Sequence, residues 1–319
     1  MEGDRARHDD ADFAHRSVLR HEVLEAFEEV PAGLVLDATL GGAGHATALL
    51  DARSDLTLLG VDRDPDALAV AAVRMGRFGD RVRLEHANFA QLGELLDRTD
   101  EPLVGALFAL GVSSPQIDRP ERGFSYRFNG PLDMRMDPTQ ELTAEVVVNT
   151  YPIDRLTKIL ADGGDVPAAR RVAAEIASRR PLTTTDDLVE ATQAGTPAAV
   201  RRRGNPAKRV FQGIRMEVND ELESLVDALD QTIDRLVLGG RVAVLAYHSG
   251  EDRVVKDRFR RADRGACSCP SGLPCVCGST PEGRLITRKP LFASDAEVAD
   301  NPRAASVRMR VFEKGRRAS

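Results

Sequence analysis

The order of strand-like and helix-like segments is the feature that most restricts the fold of this chain. Short apolar runs alternate with helical segments up to residue 110, and the same order returns after residue 216. This alternation predicts an α/β fold, in which helices cover both faces of a parallel sheet. The predicted strands are Leu34–Leu36, Leu56–Val61, Val82–His86, Leu103–Leu110 and Arg241–Tyr247. Helices are predicted at Thr47–Ala52, Asp66–Arg74 and Glu217–Leu236, with a turn at Gly239-Gly240.

The alternation stops between residues 113 and 215, where the sequence shows helical periodicity and no strong strand. The helices predicted there are Thr143–Asn149, Arg155–Leu160, Ala168–Ser178 and Thr185–Gln193. We therefore predict an all-helical domain inserted after the fourth strand. Ligands of open α/β sheets bind at the carboxyl ends of the strands, which is where such an insertion begins.

Domain boundaries follow from this pattern. Residues 15–115 and 213–319 are assigned to the sheet domain, and 116–212 to the inserted helical domain. The charged, aperiodic residues 1–14 are predicted to be disordered. Near the other end, Leu285–Pro290 and Ser306–Phe312 are predicted to pair as antiparallel strands at the edge of the sheet.

The charge of the chain is unevenly distributed. The net charge is −6, which argues against a protein that coats nucleic acid through bulk positive charge. Residues 170–215 nevertheless hold ten Lys and Arg against four Asp and Glu. This segment is therefore where a polyanion is expected to bind.

The sequence shows no signal peptide and no apolar run long enough to span a membrane, so a cytoplasmic protein is expected. Four cysteines lie within eleven residues, and this clustering is typical of one local feature in a reducing compartment. Zinc binding and free thiols are equally favoured for them, and disulfides come third. The cysteines are Cys267, Cys269, Cys275 and Cys277.

A glycine-rich turn follows the first strand in Asp37-Ala-Thr-Leu-Gly-Gly-Ala-Gly-His45. Small residues let the backbone approach a ligand, and the following helix offers unpaired N–H groups at its start. Asp62 ends the next strand, where a carboxylate can accept hydrogen bonds from both ribose hydroxyls. Together these features favour an adenosine-containing cofactor. The alternative is that Asp62 only caps the helix that contains Pro65.

These features alone leave both NAD and S-adenosylmethionine open. The turn lacks the third glycine of a dinucleotide fingerprint. Asp37, which precedes the glycines, fits a methyltransferase better because it can bind the ammonium group of S-adenosylmethionine.

Further motifs follow the fourth strand: Ser113-Ser-Pro-Gln116, Glu121-Arg-Gly-Phe-Ser125 and Gly130-Pro-Leu-Asp-Met-Arg-Met-Asp137. With Phe211-Gln-Gly-Ile-Arg-Met-Glu-Val-Asn219 and His248-Ser249, they resemble the bacterial 16S rRNA cytosine-N4 methyltransferases, the MraW or RsmH family. The resemblance extends from His15 to Lys314. It implies a class I, Rossmann-like S-adenosylmethionine methyltransferase fold with an inserted all-helical domain.

The resemblance also implies the chemistry. The substrate would be 16S rRNA in the small ribosomal subunit, methylated on N4 of the cytosine at the P-site decoding centre. The cofactor S-adenosylmethionine would contact Ala43, Gly44, His45, Asp62, Phe89 and Gln116, in addition to Asp37.

The target amine needs an acceptor for one of its hydrogens and a base lifted from its stack. Ser113 and Ser114 are the candidate catalytic acceptors. Candidate stacking surfaces are Phe124, Tyr126 and Phe128, each as readily explained by packing.

Basic residues supply the candidate RNA contacts. Arg201, Arg202, Arg203, Lys208 and Arg209 are candidates for phosphate binding, with a solvated loop as the alternative. Arg122 and Arg135 are also assigned to RNA binding. Their alternative is a buried ion pair involving Asp133.

The match departs from the family in several places. The family motif Asp-Leu-Gly-Val-Ser-Ser reads Ala109-Leu-Gly-Val-Ser-Ser here, and the other departures are Val166, Asn205 and Gly250. Loss of the carboxylate at 109 keeps a second hypothesis open, a catalytically impaired relative that binds small-subunit rRNA as an assembly protein. A DNA amino-methyltransferase is disfavoured because Ser114-Pro-Gln is not its usual motif. No prediction is made for the oligomeric state, with a dimer among the alternatives.

Overall fold

A mixed seven-stranded sheet forms the centre of the protein in the computed structural model, which describes residues 17–265, 269 and 276–315. Among these residues the strand order is β3-β2-β1-β4-β5-β7-β6. Strands β1 to β5 are parallel, and β7 runs antiparallel to both β5 and β6. The strands are β1 (Gly33–Asp37), β2 (Leu56–Asp62), β3 (Val82–His86), β4 (Leu103–Ala109), β5 (Leu236–Ala246), β6 (Gly283–Leu285) and β7 (Arg308–Lys314).

Helices connect these strands and form most of the regular structure of the inserted segment. They are α1 (Arg20–Ala26), α2 (Gly44–Ala52), α3 (Pro65–Met75), α4 (Leu92–Asp97), α5 (Ser114–Asp118), α6 (Ala144–Thr150), α7 (Ile153–Asp162), α8 (Ala169–Ser178), α9 (Thr185–Gly195), α10 (Ala198–Arg201), α11 (Ala207–Val218), α12 (Glu221–Arg235), α13 (Ser249–Arg264) and α14 (Asp295–Asp300). Short 3₁₀ helices lie at Gly76–Arg81, Phe89–Gln91, Pro120–Arg122 and Pro302–Ser306. The predicted α/β fold class with its helical insertion is confirmed.

Helix starts in the sheet domain are set by local chemistry. The side chain of Asp64 accepts a hydrogen bond from the N–H of Asp66 and caps α3, whose first residue is Pro65. His248 caps α13, where its ring Nδ1 accepts from the N–H groups of Gly250 and Glu251. These caps fix where the chain leaves β2 and β5.

One predicted turn is wrong. Gly239-Gly240 lies inside β5, which begins at Leu236, instead of between a helix and a strand. Leu236 pairs with Leu103, and the register then shifts before regular pairing resumes at Arg241. Gly239 has φ +80°, a conformation that glycine adopts without strain, so the strand continues through an irregularity.

The tail forms the predicted antiparallel pair, although the strands are offset from the predicted ranges. Leu285 of β6 pairs with Phe312 of β7, and β7 also pairs with β5. A buried arginine ties this edge to the beginning of the chain. Arg241 donates to Glu313 at 3.0 Å, to Glu29 at 2.5 Å and to the carbonyl of Ala26 at 3.0 Å.

Apolar side chains cover both faces of the sheet. One face packs against α4, α12 and α13, with Phe108, Leu229 and Phe259 fully buried. The other packs against α1, α2 and α3, with Phe27 and Leu49 at its centre. Burial on both faces explains the continuous apolar run of β4.

The structure divides into two compact units, one with the residues up to Gly111 and from Leu222 onward, the other with Val112–Glu221. The second unit has its own core, built mainly from α6 to α9 and α11. Buried Asn219 holds this core to the loop before α6. Its amide accepts from the N–H of Met136 at 2.8 Å and donates to the carbonyls of Met134 and Arg215 at 2.8 and 2.9 Å.

Some predictions fall outside the described residues, among them the disorder of residues 1–14. Cys267 and Cys275 also lie outside them, so the zinc and thiol alternatives stay predictions. Within the described ranges, none of the helices has the length and apolar character needed to cross a membrane.

Candidate functional site

Two acidic residues end adjacent parallel strands of the sheet. Asp37 is the last residue of β1 and Asp62 the last of β2, and Asp37 pairs in register with Gly60. The glycine-rich turn connects them, because the N–H of Gly41 donates to Oδ2 of Asp62 at 2.7 Å. Gly41 has φ +52°, which glycine permits. The predicted carboxylates therefore flank one turn at the carboxyl edge of the sheet.

Asp62 is not the cap of the following helix, because Asp64 has that role. Each oxygen of Asp62 accepts one backbone hydrogen bond, Oδ2 from Gly41 and Oδ1 from Asp64 at 2.9 Å. A carboxylate has about four lone-pair sites, so about two remain for hydroxyl groups. Burial raises the pKa of Asp62 above its usual value.

Asp37 is a buried carboxyl group without a basic partner among the described residues. It is 2 % exposed and accepts one hydrogen bond, from the N–H of Thr39 at 3.2 Å. Burial raises its pKa to about 7, and the nearby charge of Asp62 adds to this effect. A cationic group beside Asp37 would favour the ionised form.

Thr39 also belongs to this edge of the sheet, although it was not predicted as a site residue. Its Oγ1 accepts the N–H of Ala109 at 2.6 Å, so it links the end of β4 to the turn that carries Asp37. Asp37 pairs with Leu107, and Ala109, two residues further along β4, points to the same face of the sheet. The sequence signal for this link between β1 and β4 is a hydroxyl residue two positions after the acid that ends the strand.

Residues 17 and 18, at the start of the described chain, are held against the glycine-rich turn. The residues of the turn that hold them are Ala43, Gly44 and His45. Ala43 has φ +57° and caps α2. A Cβ added to Gly44 would lie 2.0 Å from the Oγ of Ser17. Nε2 of His45 lies 2.8 Å from the carbonyl of Val18, and burial lowers the pKa of this ring.

The roles of these three residues in cofactor binding stay predictions. The segment that they hold is fixed from its other side as well, where the N–H of Leu19 donates to Glu297 at 2.8 Å.

Phe89 starts the 3₁₀ helix that follows β3. Its ring packs edge-on against Phe108 with 5.6 Å between centroids, and the side chain is half-buried. The ring is therefore fixed by the core while part of it stays accessible. This arrangement suits a flat ligand such as adenine.

The groups at this edge suit S-adenosylmethionine. A buried carboxyl without a cationic partner among the described residues fits an ammonium group, and Asp62 retains acceptor sites for ribose hydroxyls. The half-buried ring of Phe89 fits a purine.

Ser113, Ser114 and Gln116 belong to the second unit, at the start of α5. Oγ of Ser113 accepts the N–H of Gln116 at 3.4 Å, and the side chain of Gln116 accepts the N–H of Ser113 at 3.0 Å. This reciprocal pair is a capping box. It gives both residues a structural role, and their predicted roles in catalysis and cofactor binding stay predictions.

Arg122 and Arg135 make internal contacts. Arg135 binds Asp133 through two hydrogen bonds of 2.8 Å and donates to the carbonyls of Pro138 and Gln140. Arg122 donates to the carbonyls of Arg135 and Met136 at 3.1 and 3.0 Å. The ion pair holds the pKa of Asp133 below its usual value. Arg135 therefore forms the ion pair with Asp133, and the assignment of Arg122 and Arg135 to RNA binding stays a prediction.

The basic residues of 201–209 fall into two groups, although all are exposed. Arg201 and Arg209 donate to backbone carbonyls, of Gln193 and Asp165 respectively, both at 2.8 Å. The others have no acidic partner among the described residues, namely Arg202, Arg203 and Lys208.

The three candidate stacking residues differ in how accessible their rings are. Phe124 is 8 % exposed and belongs to the core of the second unit. Tyr126 packs edge-on against Phe211 at 6.0 Å. Phe128 is 47 % exposed, so it has the most accessible ring of the three.

The fold is a Rossmann-like α/β sheet with a helical insertion. The chain belongs to the MraW methylase family, whose model matches residues 12–315. Family membership confirms the predicted resemblance and a methyltransferase activity.

Relatives match the chain over nearly its whole length. It is 45 % identical over 310 residues to ribosomal RNA small subunit methyltransferase H of Heliobacterium modesticaldum, covering 95 % of this chain and 99 % of the relative. Identity to the protein of the same name from Clavibacter sepedonicus is 49 % over 314 residues, covering 96 % and 98 %. A solved rRNA methylase from Streptococcus thermophilus covers 93 % of this chain and 94 % of its own, with a TM-score of 0.41 at 14 % identity.

Proposed function

We propose that this protein transfers a methyl group from S-adenosylmethionine to N4 of the P-site decoding-centre cytosine in 16S rRNA. The observation that carries the proposal is the pair of strand-end carboxylates, Asp37 and Asp62, in a chain of the MraW methylase family. The names of the relatives support ribosomal RNA of the small subunit as the substrate. Because the proposed substrate is ribosomal RNA, the proposed site of action of the protein is the cytoplasm.

The residues of the sheet domain have distinct tasks in this proposal. Asp37 holds the ammonium group of the cofactor, Asp62 holds the ribose hydroxyls, and Phe89 lies against the adenine. When bound, S-adenosylmethionine supplies an electrophilic methyl group on a sulfonium. Ala43, Gly44 and His45 keep the turn in shape.

The residues of the second unit act on the RNA. Bound S-adenosylmethionine would supply its methyl group directly to the cytosine amine, with an N–C bond formed in place of the S–C bond. One amine hydrogen must then leave, and the hydroxyl of Ser113 or Ser114 is the acceptor nearest in sequence to β4. The phosphate contacts come from the basic residues of 201–209.

A transfer assay tests the proposal. The protein is incubated with methyl-labelled cofactor and one of three substrates: small subunits that lack the modification, naked 16S rRNA or DNA. We expect labelled N4-methylcytidine at one position of the RNA and no label in DNA. Label on another base, or on DNA alone, would contradict the proposed reaction.

Ala109 supports a second candidate function, an impaired relative that binds small-subunit rRNA without modifying it. Its side chain faces the same side of the sheet as Asp37, so a carboxylate there would meet the same cationic group. A charge-assisted hydrogen bond is worth about 1.5–3 kcal/mol.

We expect the natural chain to bind S-adenosylmethionine and the Ala109→Asp variant to bind it about tenfold more tightly, at the lower end of that range. Calorimetric titration of both proteins measures this effect. The control variant is Ala52→Asp, at the exposed last residue of α2. Binding by the Asp variant alone would favour the RNA-binding function over the enzyme.

A further inference from the structure

An exposed aromatic ring is held on a rigid loop of the second unit. Phe128 is 47 % exposed, yet its backbone is fixed at the start of α9. Oγ1 of Thr185 donates to the carbonyl of Phe128 at 2.8 Å and accepts the N–H of Gly130 at 3.0 Å. The N–H of Thr185 donates back to Gly130 at 2.9 Å. The ring is therefore presented to solvent on a preorganised backbone.

A cation lies next to this ring in the sequence. Arg127 is exposed, and its guanidinium lies 5.8 Å from the ring centre of Tyr126. Tyr126 is itself held against Phe211. An accessible aromatic ring beside an arginine is the combination that stacks unpaired bases while attracting their phosphates.

The second element is the cationic segment 202–208, in which Arg202 and Arg203 follow α10 and Lys208 lies in the first turn of α11. These three side chains have no acidic partner among the described residues, unlike exposed Arg170 and Arg179, which pair with Asp154 and Glu175. A Cβ added to Gly204 would meet nothing within 4 Å. The segment is therefore open to a polyanion on the side of Gly204.

Helix α9 connects the two elements. Its first residue, Thr185, fixes the Phe128 loop, and Gln193 near its end accepts the hydrogen bond from Arg201. Eleven helical residues at 1.5 Å each give a length of about 16 Å. That length equals roughly five phosphates of a stacked strand at 3.4 Å spacing.

We propose that Phe128 and the cationic segment with Arg202, Arg203 and Lys208 form one binding surface for an unpaired RNA strand. Phe128 stacks an unpaired base, and the cationic segment binds phosphates about five nucleotides away. The inference rests on the proposed function for the identity of the polymer, but it makes a separate claim about which residues bind it.

Binding of a fluorescent 12-nucleotide oligocytidylate RNA, measured by anisotropy at several salt concentrations, tests this surface. We expect Phe128→Ala to weaken binding by five- to tenfold without changing the salt dependence, and Phe128→Trp to retain affinity. The double variant Arg202→Ala, Arg203→Ala is expected to reduce the slope of log K against log salt by about 1.4, since each single-strand phosphate contact contributes about 0.7. Affinity should also rise as the strand lengthens past about six nucleotides.

Matched control variants distinguish the loss of this surface from a general loss of exposed apolar area or of positive charge. Val73→Ala removes a more exposed aliphatic side chain from the other unit, and Arg170→Ala with Arg179→Ala removes two charges that have acidic partners. Both should keep affinity close to that of the natural chain. A duplex of the same length should lose the contribution of Phe128, because paired bases cannot stack on the ring, so Phe128→Ala should leave duplex binding unchanged.

Unchanged affinity in Phe128→Ala would overturn the stacking role. If the arginine double variant also bound normally, the whole surface would face another partner, such as a protein, and the inference would be wrong. The transfer assay on small subunits gives an independent result. Oligonucleotide binding as described, without methyl transfer, would contradict the proposed reaction and leave this surface supported.

Discussion

Replacement of Asp37 by Asn is expected to weaken S-adenosylmethionine binding by about 10- to 100-fold. The substitution keeps the shape of the side chain and removes the negative charge that we assign to the cofactor's ammonium group. A hydrogen bond to a charged group is worth about 1.5–3 kcal/mol, which corresponds to this range. Calorimetric titration at pH 8, where Asp37 is largely ionised, measures the loss.

The pH dependence makes this prediction specific. Because the pKa of Asp37 is raised to about 7, cofactor affinity should increase as pH rises from 6 to 8. In the Asn variant this increase should be absent. The exposed carboxylate of Asp97 offers a matched control, and Asp97→Asn should keep both the affinity and its pH dependence. A pH profile that survives in the Asp37→Asn variant would assign the titration to another group.

The stability of the folded chain should change with pH in the opposite direction to the cofactor affinity. The folded chain binds the Asp37 proton more tightly than the unfolded chain, whose pKa is near 3.8. The contribution of Asp37 to stability is therefore greatest below about pH 4 and is lost as pH rises to about 7. The Asn variant should gain free energy of unfolding relative to the natural chain across that window, by up to ~4 kcal/mol. Urea unfolding at pH 5 and 8 measures the difference.

Substitution of Asn219 by Ala should destabilise the second unit by about 3 kcal/mol or more. Asn219 makes three hydrogen bonds of 2.8 to 2.9 Å with the backbone of Met134, Met136 and Arg215. Each buried partner left unpaired costs about 1–3 kcal/mol. Asn219→Asp should be no better than Ala, because its carboxylate would face two carbonyl oxygens. Hydrogen exchange of the amides in α6 and α11 reports the loss.

The exposed Asn129 provides the control for this change. Asn129→Ala should alter the free energy of unfolding by less than about 0.5 kcal/mol. Equal stability of the Asn219→Ala variant and the natural chain would mean that water replaces the lost hydrogen bonds.

The parallel strands could be predicted because their signals are local. β4 is an uninterrupted apolar run, and its predicted and observed ranges differ by one residue. Helix α13 was missed because it is highly charged, although Val255, Phe259 and Ala262 recur on one buried face. The β5 irregularity was missed because it depends on pairing with a distant strand.

The candidate site was predictable where the residue type limits the chemistry. Asp37 and Asp62 could be predicted because each is an acidic residue at the end of a strand. Only the structure shows that Asp64 caps α3 in place of Asp62. The binding partners of Arg122 and Arg135 could not be predicted from the sequence, for a physical reason. A guanidinium can bind phosphate or backbone carbonyls, and only the fold shows that Arg135 has the second kind of partner.

Arg241 has a consequence for the order in which the protein matures during synthesis. It joins Glu29, near the start of the described chain, to Glu313 in β7. The segment that rests on the glycine-rich turn likewise depends on Glu297. A nascent chain cannot make these contacts until residues near 313 have left the ribosomal tunnel, well after Asp37 and Asp62 have been synthesised. The segment that rests on the glycine-rich turn is therefore fixed only after residue 297 has emerged.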